Sequence, residues 1–403
     1  MEAGVLVSPA FASLDSLHLP LTQEVLAALA GSPRLGAIKS LRLTGGSVNL
    51  STNGKLVARL CELPLASLEM LTLTHMPLDA RGLAALATGP AVSSLAFERC
   101  DLADGNLPEL TRGHLLAGLT RLRFARDTFS DQGLATVLGA CQRLQRFELE
   151  DLVTPHFDHG RALAALPGDG LRSLGLNHVR LTDWGLERLP QTRLQNLESL
   201  TLRKNELHSL AALRTARLPA LRELSLVDNR LDDDAVRGFL RWPLAQQLTS
   251  LDLRHTTLSS PIDCALPNLR ELRATGNTWS FLRDADLFGP GQLDALQLTD
   301  VVASELLDSF LEGVSPLQHF ALDGRGVRVA RLARHERARG LESLEVGMLP
   351  DTQALDALCT MQWLERVTVA HPNAQAQAVL TGAFGDRFTA GDNQGFRYTW
   401  PMD

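Results

Sequence analysis

Residues 171–194 read LRSLGLNHVRLTDWGLERLPQTRL, and this stretch decides the fold. Leu174 and Leu176 alternate with Gly175, so a two-residue period sends the leucines to one face of a strand and Gly175 to the other. Val179 and Leu181 continue inward through a turn. Thr182 and Asp183 then offer helix-capping oxygens, and Leu186 and Leu189 share one face of a short helix that Pro190 ends. The unit is a strand, a turn and a helix, and the next strand begins at Leu197.

The same apolar-x-x-apolar-x-apolar pattern occurs fifteen times, 21 to 30 residues apart. Its anchors are Leu14, Ile38, Leu68, Val92, Leu119, Leu144, Leu171, Leu197, Leu221, Leu248, Leu269, Leu293, Leu317, Leu341 and Leu364. A period in this range means stacked repeats rather than a globular enzyme fold. One repeat buries about six apolar side chains at roughly 1.5–3 kcal/mol each, while ordering its residues costs about 1.5 kcal/mol apiece. A lone repeat is therefore unfolded, and stacking supplies the difference.

Leu197-Glu198-Ser199-Leu200-Thr201-Leu202-Arg203-Lys204-Asn205-Glu206-Leu207 and Leu221-Arg222-Glu223-Leu224-Ser225-Leu226-Val227-Asp228-Asn229-Arg230-Leu231 match LxxLxLxxN/CxL. The chain thus resembles the leucine-rich repeat family. The resemblance implies an α/β solenoid of about 15 repeats, a curved right-handed superhelix with a parallel concave sheet and short convex helices. Those helical segments make it look like the ribonuclease-inhibitor-like class. Its richness in alanine, leucine and arginine is similar to that of bacterial members. The family's asparagine ladder is broken: Asn205, Asn229 and Asn277 keep it, Cys100, Asp127 and Thr256 can partly substitute, and Met76, Val179 and Val301 cannot.

The expected organisation is a minimal N-terminal cap over 1–13, the repeats over 14–375, and a C-terminal cap over 376–403. Phe388 to Trp400 alternates around a turn signal and reads as a closing hairpin. The 403 residues carry a net charge of -7, which gives no reason to expect nucleic acid as partner. Five unpatterned cysteines indicate neither a disulfide framework nor a zinc site. With no basic leader and no apolar run of spanning length, the expectation is a cytoplasmic monomer without a membrane segment.

No phosphate-loop, dinucleotide, nucleophile-elbow or zinc-protease motif is present, so no catalytic residue, cofactor or metal is assigned. Asp151, His156, Asp158 and His159 are the densest metal-like group and read as a solvated loop. Arg325, Arg328, Arg331, Arg334 and Arg337, joined by Arg339, form a basic run, and the steps of three between the first five spread it around a helix. Trp184, Trp242 and Trp279 read as packing of the convex layer. Asp232, Asp233 and Asp234 read as the opening of a helix, where negative charge is favourable.

The outward strand positions are the candidate binding surface: a row from His18 through Arg123, Glu148 and Asp252 to Thr368 that holds no aromatic residue. Its charged stretches are Arg121, Arg123 and Arg126 beside Arg146, Glu148 and Glu150, and Arg203 and Lys204 beside Asp228, Asp252, Arg254 and His255. Neighbouring strands stand about 4.8 Å apart, so these opposite charges are also able to neutralise one another. The expected function is a non-catalytic scaffold that binds a protein partner through the concave face or its rim. The alternatives are an enzyme activator of the GTPase-activating type and a host-directed bacterial effector.

Overall fold

The computed structural model describes residues 15–33, 35–45, 49–152, 160–189, 192–256, 264–275, 293–299, 317–322, 329–347, 349 and 352–391. The chain divides into two compact units, 1–207 with 211–221 and 208–210 with 222–403. The first holds β1 (Ser16–Leu21), β2 (Ser40–Gly45), β3 (Met70–Thr74), β4 (Ser94–Glu98), β5 (Arg121–Ala125), β6 (Arg146–Glu150), β7 (Ser173–Asn177) and β8 (Ser199–Thr201). The second holds β9 (Glu223–Ser225), β10 (Ser250–Leu253), β11 (Glu271–Thr275), β12 (Ala295–Thr299), β13 (His319–Leu322), β14 (Ser343–Val346), β15 (Arg366–Ala370) and β16 (Phe388–Gly391). Within each unit the strands are parallel and lie in chain order. These strand, turn and helix units are leucine-rich repeats.

Fifteen of the strands begin two residues after a sequence anchor, because the anchor leucine turns into the core as the chain enters the sheet. β16 has no such anchor. It runs parallel beside β15, with Val367 opposite Phe388, and the rest of the expected hairpin lies outside the described residues. The inward leucines of each strand are buried, and aromatic side chains fill the wider layers. Phe97 and Phe124 stack with centroids 5.6 Å apart, and Phe129 meets Phe124 edge-on at 5.1 Å. All three are fully buried.

Eight residues after an anchor comes the inward turn position. Where Asn205 fills it, Oδ1 accepts from the Val179 and Leu181 amides at 3.2 and 3.1 Å, and Nδ2 donates to the Leu176 carbonyl at 2.7 Å. Cys100 reproduces part of this, its thiol donating to the Leu73 carbonyl at 3.3 Å. Asp127 reproduces the other part: Oδ1 accepts from the Cys100 and Leu102 amides at 2.9 and 3.2 Å. Its Oδ2 is buried without a hydrogen-bond partner among the described residues. Burial pushes the Asp127 carboxyl up to about 7, against the downward pull of the Leu102 and Cys100 amides. Met76 and Val179 fill the same position as buried apolar groups.

Several helices open on capping side chains. Asp79, Ser130 and Asp232 cap the helices Ala80–Thr88, Asp131–Ala140 and Asp233–Leu240 through side-chain oxygens. Asp233 and Asp234 occupy the first turn of the last of these. Thr182 sits at the N-cap of Asp183–Leu186 but makes no side-chain cap bond, which corrects its expected role. Asp131 instead reaches across to the following repeat, accepting from the Arg161 and Ala162 amides at 2.8 and 2.9 Å where the helix Gly160–Ala164 begins. Trp242 packs edge-on against Phe239 at 5.8 Å, as expected of the helical layer. Trp184 does not: it is 49% exposed, with the Arg188 guanidinium 4.6 Å over its ring. Trp279 and Asn277 lie outside the described residues.

The helices Leu50–Cys61 and Ala80–Thr88 approach each other where both carry glycine. A Cβ on Gly54 would stand 1.9 Å from Oδ1 of Asp79, the oxygen that caps the second helix through the Gly82 amide at 2.9 Å. Gly54→Ala should therefore displace the cap and lower stability by about 2 kcal/mol, combining cap loss with overpacking. Chemical denaturation checks this against Gly105→Ala, whose Cβ would meet nothing within 4 Å. A Gly54→Ala midpoint equal to that of the control would refute the cap argument.

Candidate functional site: the open face and its rim

The open face of the sheet is a set of register-locked rows. In the first unit His18, Arg42, Thr72, Ala96, Arg123, Glu148, Gly175 and Thr201 stand opposite one another in turn. In the second the row is Ser225, Asp252, Arg273, Gln297, Ala321, Glu345, Thr368 and Thr389. Both rows place the outward residues where the two-residue period puts them.

The first charged stretch is brought together and largely neutralises itself. Arg123 pairs with Glu148 at 3.4 Å and with Glu150. Burial would lower the Arg123 guanidinium, but its bond to Glu150 and the charges of both glutamates outweigh that and raise it. Glu148 lies over Gly175, which leaves room for it, and burial raises its carboxyl despite Arg123. Arg126 bridges Glu98 at 3.3 Å and Asp151 at 3.0 Å. Arg121 and Arg146 differ. They face each other in register on β5 and β6, and no ion pair involving either is found among the described residues. Like charges directly opposite each other in a sheet are unfavourable, although the charge of Arg146 also acts on the nearby Glu148 carboxylate, pulling it down.

The second stretch divides between the units. Arg203 and Lys204 follow β8 in the first, and both are exposed. In the second, Arg254 grips Asp252 with two bonds, Nε to Oδ1 at 2.9 Å and a terminal nitrogen to Oδ2 at 2.7 Å. Arg273 approaches the same carboxylate at 3.8 Å, and His255 stands 4.0 Å from Asp228. Burial would lower the Arg254 guanidinium, but Asp252 outweighs it and raises it. Arg273 is lowered chiefly by its own burial. Beside them Ala295 and Ala321 leave a notch lined by Glu271, Arg273, Gln297, His319 and Phe320. The buried amide nitrogen of Gln297 has no hydrogen-bond partner there among the described residues.

A third array was not read from sequence. Seven residues after an anchor stand His75, Arg99, Arg126, Asp151, His178 and Lys204 in the first unit, and Asp228, His255 and His371 in the second. All nine have positive φ, between 50° and 60°. The amide of each of the first five donates to a carbonyl of the next repeat: His75 to Glu98, Arg99 to Ala125, Arg126 to Glu150, Asp151 to Asn177 and His178 to Arg203. The left-handed turn recurs at the same place, just past the end of the strand in each of these repeats. The available signals were the constant offset of seven and the recurrence there of histidine and aspartate, which tolerate positive φ; no glycine or asparagine made them plain.

Within this rim an open groove of about 530 Å³ is lined by Arg99, Arg126, Asp151, Leu152, His178 and Arg180. Asp151 is held by Arg126 and by Nδ1 of His178 at 2.5 Å. Burial would raise its carboxyl, but those two bonds and charges outweigh it and keep Asp151 below the usual carboxylate range. Of the expected metal-like group only Asp151 lies among the described residues, and no cluster of three possible ligands occurs among them. Of the basic run, Arg331 and Arg334 lie on the helix Val329–Arg334, anchored by buried Val329 and Leu332, and Arg339 in a short 3-10 helix. Arg325 and Arg328 lie outside the described residues. No helix among the described residues is long and apolar enough to cross a membrane.

No family model matches the chain. It is 35% identical to human podocan-like protein 1 over 139 residues, which is 34% of this chain and 26% of that protein. The chain thus spans well under two thirds of that relative. Among solved structures, it aligns with the TLR13–ssRNA13 complex at a TM-score of 0.41 and 16% identity, over 90% of this chain and 59% of that one.

Proposed function

We propose that this chain is a non-catalytic scaffold that binds a protein partner through the open face of its repeats and the strand-end rim. We place it in the ribonuclease-inhibitor-like class, as a bacterial cytoplasmic monomer with repeats over 14–375. The observation that carries the reading is the facing pair Arg121 and Arg146, two cations in register that no carboxylate among the described residues pairs with. A carboxylate from a partner would relieve that repulsion, and on a rigid sheet it would do so at a fixed place. Arg123, Glu148 and Glu150, already bonded to each other, would frame the contact and set its register. Arg203 and Lys204 in the first unit, and separately Asp228, Asp252, Arg254 and His255 in the second, are further positions at which we expect substitutions to act.

The test is capture from the native organism's lysate on the immobilised chain, read by mass spectrometry and repeated with Arg121→Gln plus Arg146→Gln. The expected result is a small set of proteins retained by the native chain and lost, at least tenfold, by the double variant. No protein enriched over a blank support would overturn the reading. Stimulation of GTP hydrolysis by a captured protein would favour the enzyme-activator alternative instead.

A further inference from the structure

We propose that the groove between Arg99 and Arg180 docks an extended acidic segment of the partner, with two carboxylates four residues apart. This rests on the scaffold reading and names the chemistry of its partner. Arg99 and Arg180 both line the groove and are both exposed, and neither has an ion pair among the described residues. The charges between them are already committed. Arg126 holds Glu98 and Asp151, and His178 holds Asp151. What is left over is therefore one cation at each end, above the buried side chain of Leu152.

The backbone at both cations is left-handed. Arg99 and Arg180 have φ of 54° and 57°, where glycine or asparagine would be the less strained residue. Nine other non-glycine residues among those described share this geometry, so it comes from the fold, and the two arginines are set apart by their charge and exposure. The spacing then selects the ligand. Arg99 lies one residue past β4 and Arg180 three residues past β7, so they stand three strand steps, roughly 14 Å, apart across the sheet and are also offset by two residues along the chain, a difference that two long arginine side chains can span. An extended polypeptide rises about 3.3 Å per residue, so residues i and i+4 stand roughly 13 Å apart on one face. Carboxylates at those positions meet the two guanidiniums in bidentate fashion, and residue i+2 passes over Asp151. A nucleic-acid strand fits less well, because its continuous phosphates would lie over the Asp151 carboxylate.

Fluorescence anisotropy with the full chain tests this. The probe is a labelled peptide with two aspartates four residues apart in a glycine–serine background. Its controls are the same peptide with asparagines, one with adjacent aspartates, and an oligouridylate of equal length. Arg99→Asn and Arg180→Asn are the variants, since asparagine tolerates positive φ and leaves the turn intact, which thermal unfolding verifies. The expected result is saturable, salt-sensitive binding of the spaced peptide, about tenfold tighter than either peptide control and about tenfold weaker in each variant. Equal binding of the spaced and asparagine peptides, or unchanged binding by both variants, would overturn the proposal. So would tighter binding of the oligouridylate. If the spaced peptide fails while lysate partners are still retained, the docking inference falls and the scaffold reading stands; if neither binds, both fall.

Discussion

Asp127→Asn is expected to stabilise the protein at pH 8 and to leave it nearly unchanged at pH 4. In the native state the Asp127 proton is held up to about pH 7, because burial penalises the carboxylate. In the unfolded chain the same carboxyl releases its proton near pH 4. The native state therefore binds more protons through this window, and native stability falls as the pH rises from about 4 to 7, then stays low. The full cost of a shift of that size is about 4 kcal/mol. Asparagine removes it and supplies what Asp127 lacks. Its Oδ1 can keep the Cys100 and Leu102 amides, as Asn205 keeps those of Val179 and Leu181. Its Nδ2 can donate to the carbonyl in the register of Leu176, which is that of Phe97. Denaturant midpoints of the two proteins at pH 4 and 8 decide it. A variant less stable at pH 8, or an advantage equal at both pH values, would show that Asp127 is not a strained ladder residue.

Phe124→Ala is expected to have the largest destabilising effect of any single truncation in the first unit. The ring is fully buried, stacked at 7° on Phe97 and met edge-on by Phe129, so three aromatic groups lose contacts at once. A buried Phe→Ala change costs about 3–5 kcal/mol through lost transfer energy and the cavity left behind. Repeats are stable only through their neighbours, so the loss is not confined to one strand. Phe124→Leu should recover more than half of it by refilling the space. A loss under about 1 kcal/mol for Phe124→Ala would mean that the layer collapses around the gap.

The repeats were legible because one residue per repeat announces them. From Leu14 to Leu364 each anchor precedes its strand by two residues, and the two-residue period then assigns every inward and outward position. A strand from Phe388 was legible as part of the expected hairpin, but its place as a sixteenth parallel strand was not, since the equivalent of the anchor is Gly385, which carries no apolar signal and sits at φ 58°. Self-neutralisation of Arg123 followed from strand adjacency, which the sequence order already contains. What stayed hidden was the rim. Left-handed backbone is most strongly signalled by glycine; histidine and aspartate, which hold most of these positions, are enriched there but too common elsewhere to signal it alone, and arginine and lysine give no signal. Thr182 shows the converse: a residue of the right type at the right place whose side chain makes no cap bond.

The rim also separates what the fold requires from what it leaves open. At each of the five positions from His75 to His178 the main chain is tied to the next repeat by its own amide, whatever side chain is attached. That makes the column a ruler graduated in steps of about 4.8 Å, with a replaceable mark at each graduation. A library varied only at 75, 99, 126, 151 and 178 would change the message displayed while leaving its carrier alone. Selection from such a library would show which sequences of charge the ruler can measure.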